Sequence, residues 1–224
     1  MNPTKQKLIE AEDIAKKLFD SIEENQLIVA GKSEKELNDE IFTLAENLFG
    51  IKKYWHKRIV RSGENTLSPY DENPPNLIIQ SDDILFLDFG PILDEWEADL
   101  GRTYVIGNDF HKLQLKESVE LAWYEAKNWF DQQKELTGAG FWDFIVDLAN
   151  KFGYEYGGEM AGHLIGHFPH EKLEPQNYGL YIHPKNPNDM LLPDRHGNKR
   201  EWILEIHFVD KKRKIGGFFE QLLT

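Results

Sequence analysis

The first fifty residues carry apolar side chains at helical spacing. After Pro3–Thr4 an apolar residue recurs every three or four positions, which predicts an amphipathic helix. A second helix is predicted to begin at Ser33, because Ser33 and Glu36 can form a capping box, and Gly50 is expected to end it. Each helix would bury one apolar face against the rest of the fold.

The hydrophobic pattern then changes to short β-rich runs bounded by Gly, Pro and Asn, which are typical of strands. The first strands predicted are Lys57–Ser62, Asn76–Gln80, Asp83–Phe89 and Asp99–Ile106, the last being the return arm of a hairpin. Two helices follow, at Leu113–Leu136 and Gly140–Phe152. The last strands predicted are Tyr178–His183, Trp202–Val209 and Phe218–Leu222.

The order of these elements is helices, strands, helices, strands. Segregated runs of this kind predict an α+β fold with helices packed on a mainly antiparallel sheet. The order occurs twice, which suggests two similar halves, and no linker or low-complexity tract separates them. We therefore expect residues 1–224 to form a single domain.

The composition narrows the choice of partners and metals. The formal net charge of −13, from 39 acidic and 26 basic residues, disfavours nucleic-acid binding. It fits a solvated surface and equally fits carboxylates that converge on cations. The lack of cysteine excludes disulfides and thiolate zinc sites, so a metal would be bound by oxygen and imidazole. No run approaches ~18 apolar residues and no signal sequence is visible, so we expect a cytoplasmic protein with no membrane partner.

Two aspartates stand in positions that suggest a metal site. Asp88 lies at the inner end of the apolar run Ile84–Phe89, where an unpaired carboxylate would be costly to bury. Asp99 follows at the distance of a short hairpin, which would bring the two carboxylates side by side. A divalent cation is the commonest way to keep such a pair ionised. In the alternative interpretation, Asp99 caps a turn and Asp88 pairs with Arg102.

Three histidines cluster in the segment MAGHLIGHFPHE. His163 and His167 are four residues apart, but a helical zinc-protease motif requires glutamate directly after the first histidine, where Leu164 stands. Two glycines also disfavour a helix here. We expect a strand or loop that presents His163 as a ligand and His170 as a proton or hydrogen-bond donor. The alternative is that each is an ordinary surface or core imidazole.

Two glutamates lie inside otherwise apolar strands. Strand alternation in WILEIHFVD places Glu205 and His207 on one face and the apolar residues on the other. Glu220 has a similar context in GGFFEQLL. A glutamate inside an apolar strand is unusual and indicates either a metal ligand or a salt bridge to Lys or Arg.

Together these segments resemble a known family. DFG…ADLGRTYVIG, GHLIGHFPHE, LEIHF and GFFEQLL resemble, in this order, the ligand segments of the pita-bread metallopeptidases, which include methionine aminopeptidase, aminopeptidase P, prolidase and creatinase. The resemblance covers nearly the whole chain and is closest to aminopeptidase P and prolidase, without their N-terminal domain. It implies the pita-bread fold, in which two pseudo-symmetric halves place helices on a curved, mainly antiparallel sheet.

The resemblance also implies a ligand set. Asp88 and Asp99 would bind one metal, and His163 and Glu205 would complete the site of a second. Asp99 and Glu220 would bridge both. The two divalent cations would be Mn, Co, Fe or Zn, with Mn favoured, and would activate a water molecule for hydrolysis.

Catalytic and supporting residues are implied in the same way. Glu205 would move the proton, and His170 would stabilise the oxyanion. The family's usual His-Tyr pair is replaced by Pro69–Tyr70, so His56 or His207 would have to substitute for the missing histidine. The residues expected to bind substrate or support the ligands are His56, Tyr70, Thr103, His167 and His207.

These features predict an aminopeptidase or dipeptidase that removes the N-terminal residue of short peptides, of Xaa-Pro type. Methionine aminopeptidase is the first alternative, and a creatinase-like hydrolase of small C–N bonds is another. A pita-bread module that binds peptides or proteins without catalysis is the alternative from a different class. The expected partner is a short peptide, and a homodimer is left open.

Overall fold

Two helices, α1 (Pro3–Glu24) and α2 (Glu34–Phe49), begin the computed structural model, which describes residues 3–168, 177–194 and 196–224. The predicted capping box is present: the Ser33 hydroxyl accepts from the Glu36 backbone N–H, and the Glu36 carboxylate accepts from that of Ser33. Gly50 ends α2 with a left-handed φ of 68°, which glycine adopts at little cost.

The rest of the chain builds one large antiparallel sheet and a second pair of helices. The strands are β1 (Ile59–Ser62), β2 (Asp83–Phe89), β3 (Ile92–Leu93), β4 (Trp96–Glu97), β5 (Leu100–Ile106), β6 (Glu155–Tyr156), β7 (Leu164–Ile165), β8 (Glu201–Asp210) and β9 (Ile215–Leu222). The helices are α3 (Phe110–Phe130) and α4 (Gly138–Phe152). The main path through the sheet is β1-β2-β5-β9-β8-β6, with β7 paired to β8, while β3 and β4 form a separate ribbon.

Two apolar cores lie against this sheet. One joins the buried faces of α1 and α2 to the first strands, with Leu18, Ile41 and Leu87 fully buried. The other joins α3 and α4 to the last strands, with Phe141 and Phe208 fully buried. Each half thus places a helix pair on its own part of the sheet, and the α+β prediction is confirmed.

The two halves of the sheet meet between β5 and β9. Gly101 lies opposite Glu220 in the antiparallel register of these strands. A β-carbon at Gly101 would stand 2.4 Å from the Phe218 ring, so only glycine allows the strands to approach this closely. The glycine at position 101 therefore determines how closely β5 and β9, and with them the two halves of the sheet, can pack.

Two predicted strands are wrong. Asn76–Gln80 follows two prolines, which lack backbone donors, and bonds the loop before α2 instead, with Ile79 donating to the Lys32 carbonyl. Tyr178–His183 begins as a 3-10 turn, Tyr178–Leu180, because the backbone N–H groups of its middle residues bond back within the turn. Within the second segment only Tyr181 forms a bridge among the described residues.

The third helix is also shifted from its predicted range of Leu113–Leu136. It begins earlier because the Asp109 carboxylate accepts from the His111 and Lys112 N–H groups. It ends at Phe130. Leu136 is buried beyond the helix, so its apolar character extended the predicted pattern without continuing the helix. The other predicted elements exist with ends shifted by a few residues.

Candidate metal centre

The first half of the sheet supplies two buried aspartates. Asp88 lies near the end of β2 opposite Gly101, and Asp99 immediately precedes β5. Both side chains are almost fully buried. The alternative pairing of Asp88 with Arg102 is wrong, because Arg102 donates to the carbonyls of Gly101 and Glu220 and to the Gln221 side chain.

The second half supplies two glutamates that face each other. Glu205 on β8 and Glu220 on β9 are direct partners in the antiparallel register, and Glu220 is also opposite Gly101 on β5. Oε2 of Glu220 is buried and has no hydrogen-bond partner among the described residues. Within the same described residues, no Lys or Arg nitrogen lies within 4.0 Å of either glutamate. The salt-bridge interpretation is therefore wrong for both.

His163 completes this group from a segment that is not helical, as predicted. Its Nε2 lies 3.1 Å from Asp99 Oδ2 and 3.9 Å from Glu205 Oε1. Gly162, with φ 136°, precedes it, and a β-carbon there would stand 2.1 Å from the Ile203 carbonyl oxygen. This close approach to β8 turns His163 towards the carboxylates. We call Asp88, Asp99, His163, Glu205 and Glu220 the ligand cluster.

The electrostatics of the ligand cluster favour a bound cation. Burial raises the pKa of Glu205 to about 8 and that of Asp88 to about 7, with neighbouring carboxylates adding to the effect and histidines opposing it. Burial, Asp99 and Asp88 also raise the pKa of Glu220 well above its usual value. For Asp99, burial is outweighed by the charge of His56 and the hydrogen bonds of His163 and His56, which lower the pKa to about 2.

Donor atoms in this region form two groups of metal-ligand composition. One group is His56, Asp88 and Asp99, and the other is Asp99, His163 and Glu220, with all atoms of each group within 4.8 Å of one another. Asp99 is shared, as expected of a carboxylate between two cations. The unpartnered Glu220 oxygen and the oxygen-and-imidazole donor set fit divalent metal ions.

Comparison with known proteins agrees with this geometry. The model of metallopeptidase family M24 matches residues 6–196. The chain belongs to this family. Among curated protein sequences, none matches this M24 chain. Since the family uses divalent metals, the ligand cluster is the candidate for its metal centre.

Solved structures share the fold of this M24 protein. A prolidase from Thermococcus sibiricus is 24% identical with a TM-score of 0.75, over 96% of this chain and 57% of that one. An X-Pro aminopeptidase from Thermotoga maritima is 21% identical with a TM-score of 0.78, over 100% of this chain and 61% of that one. A methionine aminopeptidase from Rickettsia prowazekii is 15% identical with a TM-score of 0.69, over 96% of this chain and 90% of that one.

These likenesses confirm the predicted pita-bread fold. The M24 chain spans about three fifths of the length of the prolidase and the X-Pro aminopeptidase. Among the described residues, no helix combines the length and apolar character needed to cross a membrane.

His56 lies closer to the ligand cluster of this M24 protein than its predicted supporting role suggests. Its Nε2 is 3.0 Å from Asp99 Oδ1 and 3.5 Å from Asp88 Oδ1. Burial lowers its pKa, but the charges of Asp99 and Asp88 and the hydrogen bonds prevail and raise the pKa to about 9. Sequence spacing carries no signal for this position, which depends on pairing between residues 53–55 and 90–92.

The other predicted supporting residues divide into two groups. Tyr70 and His207 line the cavity beside the ligand cluster, with the Tyr70 ring 5.8 Å from that of His56. His207 is buried with Nε2 2.8 Å from the Thr66 carbonyl oxygen, and burial lowers its pKa to about 4. Thr103 instead ties β5 to β9, because its hydroxyl donates to the Phe218 carbonyl and accepts from the Phe218 N–H.

Two further histidines were predicted to act at this site. His167 is half exposed, with its ring against Trp96 and its Nε2 3.6 Å from the Glu95 carboxylate, so it is not part of the ligand cluster. His170 lies outside the described residues, and its assignment as a hydrogen-bond donor stays a prediction.

A further residue that the sequence analysis missed is Arg61 on β1. Its buried guanidinium lines the cavity and donates to the carbonyls of Ser68, Pro69, Tyr70 and Glu72. It thereby fixes the loop that carries Pro69–Tyr70. A buried arginine on a short apolar strand was the available signal for such a role.

The cavity has a volume of about 730 Å³ and reaches from the ligand cluster to the surface. Its wall combines the side chains of the ligand cluster with aromatic ones, including Trp55, Phe86 and Tyr181. A concave, largely apolar site with a few convergent polar groups is the usual form of a small-ligand site.

Proposed function

We propose that this chain is a dinuclear metal-dependent aminopeptidase or dipeptidase that hydrolyses the N-terminal peptide bond of short peptides, of Xaa-Pro type. We also propose that residues 1–224 form one catalytic domain. The observation that carries the proposal is the convergence of three buried carboxylates, the partly buried Glu205 and His163 in the wall of one cavity.

The ligand cluster would hold two divalent ions. Asp88 and Asp99 belong to one position, and His163, Glu205 and Glu220 to the other, with Asp99 near both. When bound, such ions supply a Lewis acid and lower the pKa of a water molecule. A set dominated by carboxylates suits Mn²⁺, and the imidazole also admits Co²⁺, Fe²⁺ and Zn²⁺.

Glu205 is the proposed proton carrier. Its side chain is 19% exposed, which makes it more accessible than Asp88 or Asp99, and it lines the cavity. In the metal-free protein burial raises its pKa to about 8, so this carboxylate readily takes up a proton. His170 is proposed to donate a hydrogen bond to the oxyanion.

Shape supports a short peptide as substrate. The cavity is comparable with sites that enclose drug-sized ligands, and the aromatic side chains beside the cluster offer flat surfaces to a proline ring. The names of two structural relatives, a prolidase and an X-Pro aminopeptidase, support the same specificity. Methionine aminopeptidase remains the second candidate because one relative with this fold carries that name.

The direct test is metal-dependent peptide cleavage. The protein would be stripped with a chelator, reloaded with Mn²⁺, Co²⁺, Fe²⁺ or Zn²⁺ separately, and assayed on Ala-Pro-Ala, Ala-Pro and Met-Ala-Ser. Metal-dependent cleavage before proline is expected. Preference for Met-Ala-Ser would favour the second candidate, metal binding without cleavage would favour a binding module, and absence of metal binding would contradict the proposal.

Glu205→Ala is expected to abolish turnover, and Glu220→Ala to weaken metal binding as well. Glu201→Ala is the matched control, because Glu201 is another glutamate of β8 and does not line the cavity. Turnover numbers and metal content of the three variants would be compared. Full activity in Glu205→Ala after metal repletion would contradict the assigned role.

A further inference from the structure

His163 shows how this fold prepares an imidazole for a metal. Its Nδ1 lies 2.8 Å from the Leu164 carbonyl oxygen, which can only accept, so Nδ1 carries the hydrogen. In the neutral ring Nε2 then carries the lone pair and points at Asp99. Metal-binding histidines usually fix their second nitrogen in this way.

His56 has the same arrangement on the other oxygen of Asp99. Its Nδ1 lies 2.7 Å from the Lys57 carbonyl oxygen, and its Nε2 is directed at Asp99 Oδ1 and Asp88 Oδ1. A lone pair facing two carboxylate oxygens is unfavourable unless a proton or a metal ion lies between them, so this position binds one or the other. The two histidines thus approach Asp99 in equivalent ways, one at each oxygen.

The distances suit ligands of one ion. Two ligands each ~2.1 Å from a metal stand ~3.0 Å apart at an octahedral angle and ~3.4 Å apart at a tetrahedral angle. The separations from His56 Nε2 to the two aspartates are 3.0 and 3.5 Å. The side chain is 6% exposed, so bulk water does not compete freely for this position.

The surrounding structure holds the imidazole in place. The backbone N–H of Trp55 donates to the Gly90 carbonyl. The centre of the Trp55 ring lies 4.4 Å from that of His56 and 5.0 Å from that of His163. A β-carbon at Gly90 would stand 2.2 Å from His56 Cδ2. Glycine at this position therefore leaves the space that the imidazole fills.

We infer that His56 is a sixth metal ligand, which binds through Nε2 the ion held by Asp88 and Asp99. The inference rests on the proposed dinuclear centre. It adds one imidazole to the position of Asp88 and Asp99, whereas His163 belongs to the second position. Each ion then has one histidine. The imidazole nitrogen shifts the preference of that position from Mn²⁺ towards Zn²⁺, Co²⁺ or Fe²⁺.

The test measures metal binding rather than activity. Metal-free wild type, His56→Ala, His163→Ala and the control His111→Ala would be titrated with Zn²⁺ and examined by X-ray absorption at the zinc edge. His111 is an exposed histidine of α3 and belongs to neither group of metal-ligand composition. Circular dichroism would verify folding. His56→Ala and His163→Ala are expected each to lose about half of the imidazole scattering and to bind one zinc at least about tenfold more weakly.

Gly90→Ala provides a second variant that keeps the imidazole but takes its space. It should lower the imidazole scattering as His56→Ala does. His56→Ala with wild-type scattering and affinity, beside a defective His163→Ala, would overturn the inference and leave the proposed function standing. If wild type bound one zinc ion per chain and His56→Ala bound two, the inference would also be overturned, since the imidazole would then occupy the place of the second ion. Wild type without zinc would contradict both proposals.

Discussion

Glu220 combines burial, negative charge and an unpartnered oxygen. Its carboxylate lies in the centre of the sheet opposite Glu205, with Asp88 and Asp99 also acting to raise its pKa. Without a cation this residue destabilises the fold, because its charge is desolvated and repelled. With cations it becomes a source of stability, since ions that bind only the folded state stabilise it by mass action.

Glu220→Gln should therefore have opposite effects with and without metal. The metal-free variant is expected to melt at a higher temperature than metal-free wild type, because the buried charge is removed. Added Mn²⁺ should stabilise wild type by about 2.7 kcal/mol at a hundredfold excess over Kd, and the variant much less. Calorimetry in chelator and in Mn²⁺ would measure both. Equal metal-induced shifts in the two proteins would contradict the ligand role.

At the scale of elements, a side chain of β1 holds the conformation of a loop that lies further along the chain. Arg61 donates to four carbonyls of the Ser68–Glu72 segment, which places Tyr70 over the cavity. The planar guanidinium has several donors in a fixed geometry, and an ammonium group cannot reach the same set. Lys57 adds one bond to the Glu72 carbonyl, so Arg61 supplies most but not all of the side-chain bonds that fix this loop.

Arg61→Lys is expected to loosen this loop and raise KM about tenfold, equivalent to the loss of one hydrogen bond from a charged group. Metal content should stay at the wild-type level. Arg58→Lys is the control, because Arg58 bonds Asn38 of α2 and does not line the cavity. Steady-state kinetics and metal analysis would be compared for both variants. An unchanged KM in Arg61→Lys would show that the loop does not need the guanidinium.

Elements defined by local chemistry could be predicted from the sequence, and those defined by distant partners could not. The Ser33–Glu36 capping box and the apolar run of β2 each carry their own signal. Tyr178–His183 has a strand-like pattern, but short turn bonds compete successfully with a ladder. Similarly, the ligand segments were recognisable in order, whereas the contact of His56 with Asp99 depends on pairing with the chain beyond β2.

At the scale of the whole molecule, protons and metal ions compete for one buried region. The folded-state pKa values of Asp88, Glu205 and His56 are raised to about 7, 8 and 9, against 3.8, 4.5 and 6.5 as ordinary values. The stability that each raised pKa contributes is fully present at a pH below the group's ordinary pKa. It is lost as the pH rises through the pKa of the folded state. His207, with its pKa lowered to about 4, changes its contribution only below about 6.5.

The metal-free protein should accordingly lose stability as the pH rises from about 4.5 to 9. The contribution of Asp88 is lost by about pH 7, that of Glu205 by about 8 and that of His56 by about 9, while His207 offsets part of the loss below about 6.5. Metal stabilisation should grow over the same range, because bound ions replace protons. Melting temperatures measured across this range in chelator and in Mn²⁺ would test whether the two stabilities change in opposite directions with pH. Glu205→Gln should flatten the metal-free profile, and a wild-type profile that rises with pH in chelator would contradict the prediction.

The division of the ligand cluster between the halves of the sheet has a consequence for biosynthesis. Asp88 and Asp99 are translated early, whereas His163, Glu205 and Glu220 emerge later, and Glu220 meets Gly101 only when β9 enters the sheet. A nascent chain that has exposed only the early strands holds an incomplete set of donors. The donors proposed for one ion, His56, Asp88 and Asp99, are then already present, whereas the proposed pair of ions is completed only after β9 has been inserted.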